Sequence, residues 1–383
     1  MAERRSIQPR QISLDNTLSP ICGVGGPTLV EKILYTLLIF VPVAFVVGFT
    51  NAGGGLWVFF SSALAIVPMA KLLGTATEEL AVRVGSGLGG LLNSTFGNAT
   101  ELIIAFFALQ AGLIDVVKAS ITGSIIGNLL FVLGLAVLTG GIKHEKQTFN
   151  AVAVSASSSQ MGVATIALVI PAVFAFTTPE SLRGGLVENL SLGVAGVLLL
   201  SYFAQLLFTL RTHPHLYTEQ AVEGVGGQAW PIRKSLLILA VCTIVIAFLS
   251  EFLVNGVEYL TSTLGWTELF VGVILIALIG NAAENMTAVT VAMKNKMNLS
   301  MSIAMGSSTQ IALFVAPVLV FIGFFMGGSS ELTLLFQPFE IAAIVMAVVI
   351  VDRIARDGES NWFEGVQLLA VYTIFAVAFF LHP

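Results

Sequence analysis

The 383-residue sequence predicts an all-α polytopic membrane protein of eleven transmembrane helices, built as two inverted five-helix repeats plus an N-terminal extra helix. Three observations predict it. Only 10% of residues are charged while 56% are hydrophobic, against about 25% charged in an average soluble domain. Apolar runs of spanning length recur from residue 33 to the C-terminus, each near the roughly 20 residues that cross about 30 Å of hydrocarbon. A charged motif inside one of these runs returns later in the chain. Barrel strands would alternate polar and apolar residues, and these runs do not.

A tail, residues 1–31, holds Arg4, Arg5 and Arg10 but no apolar core beside a small-residue cleavage site. No removable signal peptide is therefore expected, and the tail is expected to stay cytosolic. Spans follow at about 33–50, 56–73, 87–111, 117–140, 149–176, 187–210, 235–258, 268–292, 299–324, 332–351 and 363–381. With the tail inside, fifteen of the 17 Lys and Arg residues fall on the cytoplasmic face, and only Lys118 and Arg183 lie outside. That bias follows the positive-inside rule. The chain then divides into the tail, an extra helix at 32–51, a first repeat at 53–210, a cytosolic linker at 211–233 and a second repeat at 234–383. Glu219 and Glu223 of the linker, four residues apart, read as part of a solvated surface, with contact to divalent ions the lesser reading. Cys22 and Cys242 offer neither a disulfide framework nor a His/Cys cluster for zinc.

The repeat rests on "GNATE" at 97, which returns as "GNAAE" at 280, a constant offset of 183 residues. The same offset pairs Gly89 with Gly272, Ala105 with Ala288, Gly123 with Gly306, Ser124 with Ser307, Phe131 with Phe314 and Val132 with Val315. Two consecutive spans thus align without a gap. The displacement is five spans, an odd number, so the copies cross the membrane in opposite directions. Transporters with inverted repeats place substrate near the midplane where the repeats meet.

Glu101 is the only charge between Arg83 and Asp115, and Glu284 the only charge between Glu268 and Lys294. A carboxylate at mid-helix costs a few kcal/mol on insertion scales, and no span interior supplies a Lys or Arg to offset it. A proton or a metal cation remains. Asn98 and Asn281 each precede their glutamate by three residues, which puts each pair on one helix face, and Gly97 and Gly280 remove bulk. Two carboxylates and two amide carbonyls are hard oxygen donors of the kind Ca2+ accepts in flexible geometry. Two nearby carboxylates in low dielectric cannot both stay ionised without the ion, so protons and metal compete for the same oxygens. The bland alternative for intramembrane Asn and Glu, interhelical hydrogen-bond glue, loses weight because the motif is duplicated.

These residues resemble the calcium/proton exchangers, the CAX family of the calcium/cation antiporter superfamily. "GNATELI" at 97 and "GNAAEN" at 280 look like its two signature repeats, and "GSIIGNLLFVLG" at 123 and "GSSTQIALFVAP" at 306 like the segments after them. The resemblance implies an eleven-span fold, metal carboxylates at Glu101 and Glu284, motif amides at Asn98 and Asn281, and export of cytosolic Ca2+ against H+, with tolerance of other divalent ions such as Mn2+. Many members carry His after the second glutamate, whereas here the position is Asn285. The four histidines, His144, His213, His215 and His382, all fall in loops or at the terminus. Proton coupling is then expected at Glu101 and Glu284, with Glu79, Glu251, Glu258 and Glu340 as secondary candidates.

Further oxygens are expected near the site from Ser124, Asn128, Ser307 and Gln310. Glu340 is expected mid-span with Pro338 loosening its helix, and Glu78 and Glu79 are expected before the third span on the cytoplasmic side, with cation gathering at the entrance and a solvated loop as equal readings. No GxSxG or HExxH motif occurs, so an enzyme is not expected. No cofactor and no nucleic-acid partner are expected either; Ca2+ and H+ are substrates and the bilayer is the partner. The alternatives are a sodium/calcium exchanger on the same fold and a passive cation channel. The short tail favours a cell membrane over a vacuolar one.

Overall fold

A computed structural model describes residues 29–213 and 230–382. The linker glutamates Glu219 and Glu223, His215, the tail arginines and Cys22 lie outside the described residues. Helices α1 (Leu29–Leu37), α2 (Phe40–Thr50), α3 (Gly54–Val84), α4 (Ser86–Phe96) and α5 (Ala99–Gln110) open the chain. Then come α6 (Ile114–Lys143), α7 (Ala151–Thr177), α8 (Arg183–Thr212) and α9 (Ile232–Leu264). Helices α10 (Glu268–Gly280) and α11 (Ala282–Ala292) form one bent pair, followed by α12 (Met297–Met326), α13 (Pro338–Ile354) and α14 (Trp362–Leu381). Among the described residues, eight segments are long and apolar enough to cross a membrane, with α1 and α2 counted together as Lys32–Thr50, and the bent pair makes a ninth. Helical backbone satisfies its own polar groups, which hydrocarbon requires.

Three expected boundaries move, each for a local reason. The span expected at 56–73 continues to Val84, because nothing interrupts the helix-forming "TATEELAVRV" before Gly85 at φ 90°. Glu78 and Glu79 therefore stand in the last turns of α3 rather than in a loop. The span expected at 87–111 is two short helices separated at Gly97 and Asn98. The span expected at 332–351 shifts to 338–354, since Pro338 serves as a helix-starting residue whose missing N–H costs nothing there. Glu340 is consequently in the first turn and not mid-span.

Helices α3 and α9 form the most extensive helix pair, with α2 alongside. Phe59, Ile66 and Leu73 of α3 meet Ile246, Leu249 and Leu253 of α9 in one apolar core. A second, larger core joins α6, α7, α8, α12, α13 and α14. At the loop ends, β1 (Gln147–Thr148) pairs antiparallel with β2 (Glu359–Ser360). Gln147, buried there, donates to Ala292 O at 2.9 Å and to Asn295 Oδ1 at 3.1 Å, which secures the C-terminal end of α11.

Candidate ion site at two broken helices

Both repeated motifs sit at helix breaks. Asn98 (φ −97°, ψ 17°) and Asn281 (φ −88°, ψ 2°) occupy the sparsely populated bridge region that recurs in functional sites, and the α10–α11 pair bends by 63° there. Glu101 and Glu284 are each in the first turn of the helix that follows. Two helix N-termini thus converge on the motifs, and their partial positive charge offsets part of the cost of two carboxylates.

Each carboxylate lies against the glycine of the opposite motif. Glu284 Oε1 is 3.5 Å from where a Cβ on Gly97 would stand, and Glu101 Oε1 is 3.6 Å from the corresponding point on Gly280. A Cβ added at Gly97 would touch Glu284 at ordinary contact distance, whereas one added at Gly280, 3.2 Å from Glu101 Cγ, would crowd Glu101. Glu101 Oε2, Glu284 Oε2 and Asn98 Oδ1 are buried without a hydrogen-bond partner. Unpaired buried acceptors are costly, and three of them near one another form an oxygen lining that suits a cation. Among the described residues no cluster of three or more His, Cys, Asp or Glu side chains exists, so amide, hydroxyl and backbone oxygens would have to supplement the pair.

The surrounding amides and hydroxyls form a network across the two halves. Asn98 Nδ2 donates to Gln310 Oε1, while Asn281 Nδ2 donates to Ser124 Oγ at 2.9 Å. Asn128 Nδ2 donates to Asn281 Oδ1 and to Ser307 Oγ, each at 3.1 Å. The expected oxygens Ser124, Asn128, Ser307 and Gln310 therefore do gather at the motifs. The two amides differ, however: Asn98 keeps a free carbonyl oxygen, whereas that of Asn281 is engaged. Short π-helical turns at Gly127–Val132 and Ile311–Val315, matched by the 183-residue offset, help re-aim these side chains, as π-bulges at functional sites do.

A cleft of about 300 Å3 reaches the motifs from the end of α3 that carries Lys71 and Glu78, and Glu284, Asn93, Ser302 and Gln310 are among its walls. Glu284 lines the cleft, whereas Glu101, 8% exposed, lies behind it. Lys71, Asn93, Thr100 and Ser302 were not singled out by sequence reasoning. Thr100, inside the motif itself, carried the only signal.

The secondary candidates lie elsewhere. Glu340 accepts from Thr122 Oγ1 and from Gln337 N, each at 2.9 Å, and completes a capping box at the start of α13. Glu79 Oε2 accepts from Trp230 N at 2.8 Å, Arg83 Nε donates to Trp230 O at 3.1 Å, and Lys234 lies 3.9 Å over the Trp230 ring, tying α3 to the start of α9. Glu251 is exposed, and Glu258 lines a separate cavity of about 480 Å3 with Asn51 and Asn255. Asn285 has a buried, unpartnered Oδ1. In the serine-rich stretch of α7, Ser157 and Ser159 bond back to helix carbonyls, as serines in apolar helices do.

The profile of the family described as sodium/calcium exchanger protein matches residues 54–211 and 234–381. The chain belongs to this family. Within it, the protein is 47% identical over 369 residues to a Ca(2+)/H(+) antiporter of Synechocystis sp., covering 92% of this chain and 98% of that one. It is 36% identical to a vacuolar calcium ion transporter of Schizosaccharomyces pombe, covering 98% and 90%. Among solved structures, native YfkE superposes with a TM-score of 0.78 at 40% identity, over 91% of this chain and 100% of that one. The resemblance to calcium/proton exchangers is borne out by these relatives, as is the expectation of a multi-helix membrane transporter.

Proposed function

We propose that the protein is a Ca2+/H+ antiporter that exports cytosolic Ca2+ by alternating access at Glu101 and Glu284. The observation that carries this is the reciprocal seating of the two glutamates with unpaired oxygens at facing helix breaks. The relatives named Ca(2+)/H(+) antiporter at 47% identity support the substrate pair. Asn98 and Asn281 belong to the site in different ways, Asn98 through its free oxygen and Asn281 by holding Ser124, Asn128 and Ser307 in place.

The coupling follows from charge. A site with two ionised carboxylates and no cation is too costly to occlude in low dielectric. Ca2+ neutralises the pair, and so do protons, but an empty ionised pair does not. Only neutralised states cross, which makes exchange obligatory. Glu284 on the cleft wall meets the ion first and Glu101 closes on it from behind. Mn2+ and other divalent ions that accept oxygen ligands are further substrates by the same chemistry.

The supporting architecture has eleven spans: an extra helix at 32–51, then inverted repeats at 53–210 and 234–383 joined by a cytosolic linker at 211–233. The pair α4–α5 and the 17-residue α13 supply the two spans beyond the nine of full length. The N-terminus is cytosolic, by the charge bias, and a cell membrane is favoured. Reconstituted vesicles test the function: an imposed pH gradient should drive Ca2+ uptake without Na+. Uptake that requires Na+ would establish sodium/calcium exchange instead, and Ca2+ flux without opposed H+ movement a channel.

A further inference from the structure

The two halves are not in the same state, and the 183-residue offset makes the difference specific. In the first third of α6 and near the start of α10, Gly123 and Gly272 bring two backbones into direct contact. A methyl on Gly123 would overlap the Val273 carbonyl, and one on Gly272 would overlap Ala119 and crowd Val116 O and Ser120 N. The offset maps Val116, Ala119, Ser120 and Gly123 onto Leu299, Ser302, Ile303 and Gly306 of α12. These four are not packed against a partner glycine. They are walls of the cleft that leads to Glu284, and a Cβ at Gly306 would meet nothing within 4 Å. Gly89, the counterpart of Gly272, rests on the Ala81 backbone of α3 instead.

We infer that the Gly123–Gly272 crossing is the seal on the outer side of the ion site, and that Gly89, Gly90 and Gly306 form its mirror, an inner seal that closes over the Ser302 wall when the outer one opens. The inference rests on the inverted-repeat orientation proposed above. Interfaces between packed helices are bistable rather than continuously deformable, and two copies of one crossing, one shut and one open, are the two arrangements. Backbone-to-backbone contact explains why glycine stands at both ends: any larger residue would hold its seal ajar. Lys71 and Glu78 at the cleft mouth then face the cytosolic ion supply, and Val116 and Ala119 the opposite side.

The test uses the full chain in inside-out vesicles, with Cys22 and Cys242 replaced by Ala and Ser302→Cys as a reporter for an impermeant maleimide. The reporter should label from the cytosolic side. Adding Gly272→Ala should prop the outer seal and slow that labelling about tenfold, the population shift an overpacked methyl produces. An unchanged rate in a variant that inserts and binds Ca2+ would overturn the proposal. A second variant guards against misfolding: Gly306→Ala, whose added Cβ meets nothing within 4 Å in the described state, should stop exchange by holding the inner seal ajar while Ser302→Cys still labels from the cytosolic side at or above the parent rate. Normal exchange by this variant would also overturn it. Labelling of the reporter only from the outer side would instead overturn the repeat orientation.

Discussion

At the scale of the residue, the unpaired oxygens divide the site into ligands and supports. Glu101→Gln or Glu284→Gln should abolish proton-driven Ca2+ uptake while the protein still inserts, measured as uptake per inserted protein. Normal exchange by either variant would refute the assignment. In the proposed site Asn98→Ala removes one unpaired oxygen that would face the cation. A hydrogen bond to a charged group is worth about 1.5–3 kcal/mol, so losing a comparable ion contact should raise the Ca2+ concentration for half-maximal uptake about tenfold or more. Glu340 behaves differently because both its oxygens are engaged by Thr122 and Gln337. Glu340→Ala should lower stability by about 1–3 kcal/mol, read as an earlier thermal transition in detergent, with little change in half-maximal Ca2+. Loss of exchange at unchanged stability in Glu340→Gln would give it a transport role after all.

At the scale of the element, the broken helices matter more than their apolar length. The motifs were legible because a charge in an apolar run is conspicuous and because the run repeats. The break itself was not legible: "GNAT" and "GNAA" lack proline, and a helix-compatible sequence parts there because facing chains hold Asn98 and Asn281 in the bridge region. Gly280→Val should displace Glu101, whose Cγ lies 3.2 Å from the added Cβ, and reduce uptake sharply while the chain remains inserted. Gln147, buried against the end of α11, was not found from sequence, since a polar residue in a loop carries no pattern. The same limit moved Glu340: proline reads as a kink or a start, and only packing distinguishes them.

At the scale of the whole molecule, the proposed competition between protons and Ca2+ at the two glutamates fixes the direction of the pH effect. Protonated carboxylates hold no cation, so Ca2+ binding should weaken as pH falls and strengthen as pH rises until both glutamates are ionised in the free state. Calorimetry of the purified protein in two buffers of different ionisation heat should report protons released on Ca2+ binding, fewer in Glu284→Gln. Affinity that does not change with pH would uncouple these glutamates from proton carriage.

The sequence alone determined the class, the repeat and the residues that carry charge into the membrane, because hydropathy, the 183-residue offset and the cost of an unpaired carboxylate are all local or periodic quantities. Tertiary structure decided which of those residues meet. It set Glu101 behind Glu284, left Asn98 with a free oxygen and engaged that of Asn281, assigned Glu340 to a helix start, and packed Gly123 and Gly272 tightly while leaving open space at Gly306. These outcomes depend on which helix packs against which, and a near-symmetric sequence holds no signal for the asymmetric state it adopts.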